Sequence, residues 1–242
     1  MKFPFYATNQ RDRVQIHLRL EHFLLYWPIA TLISLIIVIS TSCVYTFSCS
    51  EFLPTVSYLA AYNGYDRIIV FIVTAQIIPL LIFFMSASVL YFDYYDCIDR
   101  FTLKIIGVFT SLALPAVVVM DEVNSSYYFP FDKIHTISLS GVVVALAVWM
   151  GFSLEWVWKS HKKTPSPYTK FVIGYVILCL FSLYDSYREW KTAEGPNDYI
   201  KLAIKEYITI GLLAFLPRIY CLVLSKVQVS FGQIIKASEL DS

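Results

Sequence analysis

The 242-residue chain is 57% hydrophobic and 15% charged, with a formal net charge of +1. A soluble globular domain carries about 25% charged residues, and no basic tract of the kind nucleic acid demands is present. The apolar excess gathers into runs without Asp, Glu, Lys or Arg, Phe23–Phe47 and Ile68–Phe92, each longer than the roughly 20 residues that cross a bilayer as a helix. The composition excludes a soluble domain and predicts an integral membrane protein.

In chain order, Arg11–Glu21 alternates charged and apolar residues and is expected to form a short amphipathic helix on the membrane surface. The first apolar run is too long for a cleavable signal and lacks a small-residue cleavage site. An all-α membrane protein with six transmembrane helices in a single domain, 1–242, follows, with spans at Phe23–Phe47, Ile68–Phe92, Phe101–Met120, Thr136–Trp158, Phe171–Asp185 and Leu202–Leu224. Lys104 in the third span is expected to snorkel. The fifth has only the short uncharged run Phe171–Tyr184, and the sixth carries Glu206 and Arg218. Runs this continuous are helices rather than barrel strands.

Basic residues set the direction. One side collects Lys2, Arg11, Arg13, Arg19, Arg100, Lys104, Lys159, Lys162, Lys163, Lys170, Lys226 and Lys236, against Arg67, Lys133, Arg188, Lys191 and Lys201 on the other. The positive-inside rule puts both termini in the cytosol and the loops Ser48–Arg67, Asp121–His135 and Ser186–Lys201 on the lumenal or exterior side. Trp156, Trp158, Trp190 and the tyrosines near span ends read as interfacial anchors. The stretch "KKTPSP" at Lys162–Pro167 reads as a cytosolic linker. The five cysteines are scattered and only Cys49 sits clearly in a loop, so no disulfide framework is expected.

Ionisable groups at or inside spans are costly and mark functional positions. Asp66 and Arg67 open the second span, His135 opens the fourth, Asp185 ends the fifth and Glu206 lies in the first turns of the sixth. All five fall toward the lumenal side. Tyr199, seven residues before Glu206, shares its helix face, and Ser57, Asn63 and Gln76 offer further donors. His135 and Glu206 are the acid/base candidates, since both suit proton transfer. Arg67 is the candidate anion contact, with Asp66, Ser57, Tyr199 and Asp185 as ligand-binding partners. No established catalytic box, cofactor signature or metal-ligand spacing occurs, so an enzymatic reading rests on His135 and Glu206 alone, and no cofactor and no metal is called for.

The stretch "CSEFLPTVSYLAAYNGYDRIIVFIVTAQ" resembles the first lumenal loop and second helix of the post-GPI-attachment-to-proteins factor 2 family, of the Frag/DRAM/Sfk superfamily. Cys49, Leu53, Pro54, Thr55, Val56, Ser57 and Arg67 carry that match. "KIHTISL" (Ile134, His135), "YIKLAIKEY" (Tyr199, Glu206, Tyr207) and Phe231-Gly232 follow in the family's order, and "HLRL" precedes the first span as it does there. The intramembrane histidines of that family have no counterparts, and Gln76, Phe152 and Pro217 lie near where they fall. Its lumenal cysteine before the last helix is also missing, which leaves Cys49 without that partner. The resemblance implies a six-helix Golgi or endoplasmic reticulum protein that supports reacylation of a lyso-GPI anchor in the lumenal leaflet. Its partners would be a GPI lipid or other phospholipid in the membrane, with no nucleic acid. The superfamily's other branches imply an alternative, a non-enzymatic regulator of lipid kinase recruitment, lipid asymmetry or autophagy at the plasma membrane or lysosome. A transporter is disfavoured by the absence of inverted repeats.

Overall fold

A computed structural model describes residues 5–10, 13–49, 53–61, 68–69, 72, 134–163, 165–193, 196–223 and 228–235. The order is β1 (Phe5–Gln10), β2 (Arg13–Arg19), α1 (Leu20–Tyr45), α2 (Val56–Ala61), α3 (Ile134–Lys163), α4 (Thr169–Thr192), α5 (Pro196–Tyr220) and β3 (Gln228–Ile235). Stretches of α1, α3 and α4 are long and apolar enough to cross a membrane: Leu24–Tyr45, Thr136–Lys159 and Thr169–Thr192. The expected second and third spans, Ile68–Phe92 and Phe101–Met120, lie outside the described residues apart from Ile68, Ile69 and Ile72.

α1 is 26 residues, about 39 Å at 1.5 Å per residue. Its hydroxyls fold back on its own backbone: Thr31 Oγ1 donates to Trp27 O (3.0 Å), Ser34 Oγ to Ala30 O (2.8 Å) and Ser42 Oγ to Ile39 O (2.7 Å). Such bonds let a polar side chain sit in hydrocarbon, where no water can satisfy it. The helix ends where Thr46 N and Phe47 N both donate to Ser42 O at 2.9 Å.

α3 and α4 run past their predicted ends. α3 continues to Lys163, supported by the Lys159–Glu155 ion pair at 2.8 Å one turn apart and by Lys162 Nζ 5.9 Å from the Trp158 ring centre. α4 reaches Thr192, so the predicted loop Ser186–Lys201 is nearly all helix. Hydropathy ended the fifth span at Asp185 because charges follow, yet Asp185 pairs with Arg188, and Asp185 and Glu189 both pair with Lys205 of the next helix. α5 opens on Pro196, a favoured first helical residue, with Asp198 in its first turn where the helix dipole suits an acid. It closes in tighter turns, with Leu222 N donating to Ile219 O and Val223 N to Tyr220 O, both at 3.1 Å.

The buried stripe of α4 is Thr169, Val172, Val176, Cys179 and Leu183, a 3-4-3-4 spacing that keeps one face inward. Phe171, Ile177, Leu178, Phe181 and Tyr184 are exposed, the reverse of a soluble helix, whose outer face is polar. One core joins α1, α3, α4 and α5 around Leu24, Met150, Val176 and Tyr220. There the Tyr220 hydroxyl hydrogen-bonds Ser153 Oγ and its ring meets Trp149 edge-on, centroids 5.4 Å apart. A second core joins Leu35 and Val38 of α1, Val56 and Leu59 of α2, Ile69, Ile72 and, on α5, Tyr207 and Ile210.

The terminal segments correct a sequence expectation. Arg13–Arg19, expected within an amphipathic helix, is a strand. Its order Val-Gln-Ile-His-Leu alternates with period two, the strand signature, rather than with the helical 3.6. β2 is the middle of a three-stranded antiparallel sheet ordered β1-β2-β3, pairing Phe5 with Leu18 on one side and Leu18 with Val229 on the other. The long elements are helical as expected; the sheet ties the two ends of the chain together.

Directly opposed residues of an antiparallel pair hold their Cβ atoms about 4.5–5.5 Å apart. The double variant Leu18→Cys, Val229→Cys is expected to form an internal cross-link on mild oxidation, read as a joined peptide pair by mass spectrometry. If these peptides stay separate, the terminal pairing is wrong.

Candidate functional site

The second core sits under a turn, Leu53-Pro54-Thr55, that opens the six-residue helix α2. A helix start leaves backbone N–H groups with no partner inside the helix. Thr55 meets two of these needs: its Oγ1 accepts from Tyr58 N (3.1 Å) and its carbonyl from Leu59 N (3.0 Å). The Val56 N–H donates to Glu206 Oε2 on α5, 3.2 Å away and 150 residues along the chain. Tyr207, the next residue, donates its hydroxyl to the Pro54 carbonyl. Adjacent residues of α5 thus hold a donor and an acceptor of one turn, a two-point latch.

The turn is braced from its other end. Phe47 packs edge-on against Tyr58, ring centres 5.7 Å apart, and Cys43 at the end of α1 is disulfide-bonded to Cys49, with Cα atoms 5.3 Å apart. The sequence offered no disulfide framework, and this single bond links residues only six apart. Cys43 reads as part of an apolar run, but α1 stops at Tyr45 and the chain folds back at once, so that Cys49 returns to its side.

Beside the latch, α4 and α5 carry a ladder of polar contacts. Lys205 Nζ lies 3.0 Å from Asp185 Oδ2 and 2.6 Å from Glu189 Oε2, and Arg188 pairs with Asp185 Oδ1 at 2.9 Å. One turn inward, the buried Thr209 Oγ1 meets Ser182 Oγ and Ser186 Oγ, each at 2.7 Å. Further along, the Tyr175 hydroxyl donates to Leu212 O at 2.9 Å. Interhelical polar bonds of this kind act as glue in lipid, where no hydrophobic force draws helices together.

Of the sequence candidates, Glu206 and Asp185 are both engaged at this end of the α4–α5 pair, Glu206 on the turn and Asp185 on Lys205 and Arg188. Tyr199 shares the helix with Glu206 but is 43% exposed. Ser57 lies in α2, next to the latched Val56, and His135 in the first turn of α3. Asp66 and Arg67, with Asn63 and Gln76, lie outside the described residues. Tyr207 entered the sequence reading only through the family resemblance, and Lys205, Glu189 and Cys43 were not among its site candidates. Glu189 was findable, being four residues after Asp185 and so on the same helix face. Among the described residues no group of His, Cys, Asp and Glu is arranged to hold a metal ion.

No protein-family model, curated protein or solved structure matches the chain.

Removing an acceptor from a buried backbone donor costs about 1–3 kcal/mol, and losing an ordinary hydrogen bond about 0.5–1.5 kcal/mol. Glu206→Ala is expected to lower the thermal unfolding midpoint in detergent more than Tyr207→Phe. In the double variant the two losses should not add, because both act on one turn. Additive losses, or no loss in either, would show that the latch does not hold the turn.

Proposed function

We propose that this chain is a six-helix membrane protein that supports lipid remodelling of GPI-anchored proteins, acting in reacylation of a lyso-GPI anchor in the lumenal leaflet of the Golgi or endoplasmic reticulum. It does so as the acyltransferase or as that enzyme's obligate helper. The observation that carries this reading is the latch itself. The Leu-Pro-Thr-Val-Ser turn and the Tyr-(x)6-Glu-Tyr stretch are the two longest marks of the family resemblance, and they meet through Val56–Glu206 and Pro54–Tyr207. Two motifs far apart in sequence that converge on one spot support a common task there.

Two features support the orientation. Disulfides persist in oxidising compartments, which favours a lumenal position for Cys43–Cys49 at the far end of α1 and a cytosolic one for β2 at its near end. Pairing of β2 with β3 then favours a cytosolic C-terminal segment and an even number of crossings between them. Four helices, α1, α3, α4 and α5, leave an even number for residues 62–133, in keeping with the two apolar runs there.

In this reading Glu206 has two duties: it holds the turn and lies where a lipid headgroup meets the bundle. His135 is its acid/base partner, and Arg67 contacts the anchor phosphate with Asp66, Ser57, Tyr199 and Asp185 around it. The test is rescue of surface GPI-anchored protein in cells lacking their own remodelling factor. Wild type is expected to restore it and Glu206→Ala, His135→Ala and Arg67→Ala to fail at matched expression. Full rescue by all three variants would remove the site.

The terminal sheet favours a second reading, a non-enzymatic regulator whose folded cytosolic ends bind a partner. Replacing Met1–Glu21 and Lys226–Ser242 together with unrelated tails separates the two. Remodelling survives the exchange if the lumenal site acts, and is lost if the tails do.

A further inference from the structure

The turn between α3 and α4 holds a feature that lipid remodelling does not use. It reads Thr164-Pro165-Ser166-Pro167-Tyr168 between Lys163 and Thr169. Pro165 and Pro167 are exposed, as is Tyr168, and Ser166 is partly exposed. A residue before proline is sterically driven out of the helical region, and Ser166 lies outside the helices on either side of the turn. Ser followed by Pro is what a proline-directed kinase reads.

The surroundings suit a phosphate. Tyr168 N–H already donates to Ser166 Oγ at 3.3 Å, and Thr169 N–H donates to Ser166 O at 3.3 Å. Thr169, the first residue of the 24-residue α4, is 2% exposed, and its Oγ1 has no hydrogen-bond partner. A dianion three residues before that position faces the positive end of the helix dipole. Lys162 and Lys170, both exposed, flank the turn.

We propose that Ser166 is a phosphorylation site for a proline-directed serine/threonine kinase. The Ser166 hydroxyl oxygen attacks the γ-phosphorus of ATP, forming the new Oγ–P bond. The bond from that phosphorus to the bridging oxygen breaks, ADP leaves, and the serine proton passes to the kinase's base. The product adds about −1.5 to −2 charges between the exposed Lys162 and Lys170 that flank the turn. That offsets part of the basic charge by which this turn is drawn to an anionic cytosolic leaflet, an electrostatic switch.

The proposal rests on the cytosolic orientation, and the experiment separates the two. Full-length protein is treated with a purified proline-directed kinase and ATP, once in detergent micelles and once in sealed vesicles whose cytosolic face is outward. Fragment-ion mass spectrometry locates the phosphate. Phosphate on Ser166 is expected in both, with the signal lost in Ser166→Ala. No modification of Ser166 in micelles, or phosphate on Thr164 alone, overturns the site and leaves the orientation standing. Modification in micelles but not in sealed vesicles overturns the orientation, and with it phosphorylation in the cell.

Discussion

The end of the bundle where α2 meets α5 depends on one hydrogen bond, from the backbone N–H of Val56 to the Glu206 carboxylate. A short helix packed against a membrane bundle has little water to satisfy its first N–H groups, and each one left bare is costly. Thr55 answers for Tyr58 and Leu59, Tyr207 for the Pro54 carbonyl, and Glu206 for Val56. With those groups satisfied, Val56 and Leu59 can bury their side chains against α1 and α5. The carboxylate thus serves the fold first, and any chemistry it performs begins from a fixed position.

The rest of the bundle keeps that position steady. Lys205 binds two carboxylates of α4 one residue before Glu206, and Thr209 is held by two serines three residues after it. Glu206 is therefore set between two polar clasps that stop α5 from turning or sliding against α4. From the opposite side, the Cys43–Cys49 disulfide and the Phe47–Tyr58 contact fix the turn that Glu206 receives. Rigid supports on both partners are what a site needs if it is to bind one lipid headgroup in one pose.

Much of this was legible in the residues. The long apolar runs gave α1 and α3, the shorter run Phe171–Tyr184 gave α4, and the costly charges Asp185 and Glu206 pointed to the end of the bundle where α4 and α5 exchange polar contacts. What escaped was pairing at a distance. Hydropathy cannot tell a solvated charge from a neutralised one, so α4 was cut at Asp185 although Lys205 and Arg188 carry the helix onward. Cys43 looked like one more apolar residue because its partner approaches only after the chain reverses. The period-two pattern of Arg13–Arg19 was visible, but one of its two partner strands lies more than 200 residues away and nothing local reveals it.

The most direct test is photolabelling with a lysophosphatidylinositol that carries a photoreactive group near its phosphate, using the full-length protein in lipid nanodiscs. The expected result is label in the peptides that contain Leu53–Ala61 or Tyr199–Ile210, reduced by Glu206→Ala and displaced by unlabelled lysolipid. Label confined to the α3–α4 turn, or spread evenly over the exposed faces of α1 and α4, would contradict a lysolipid site at the latch.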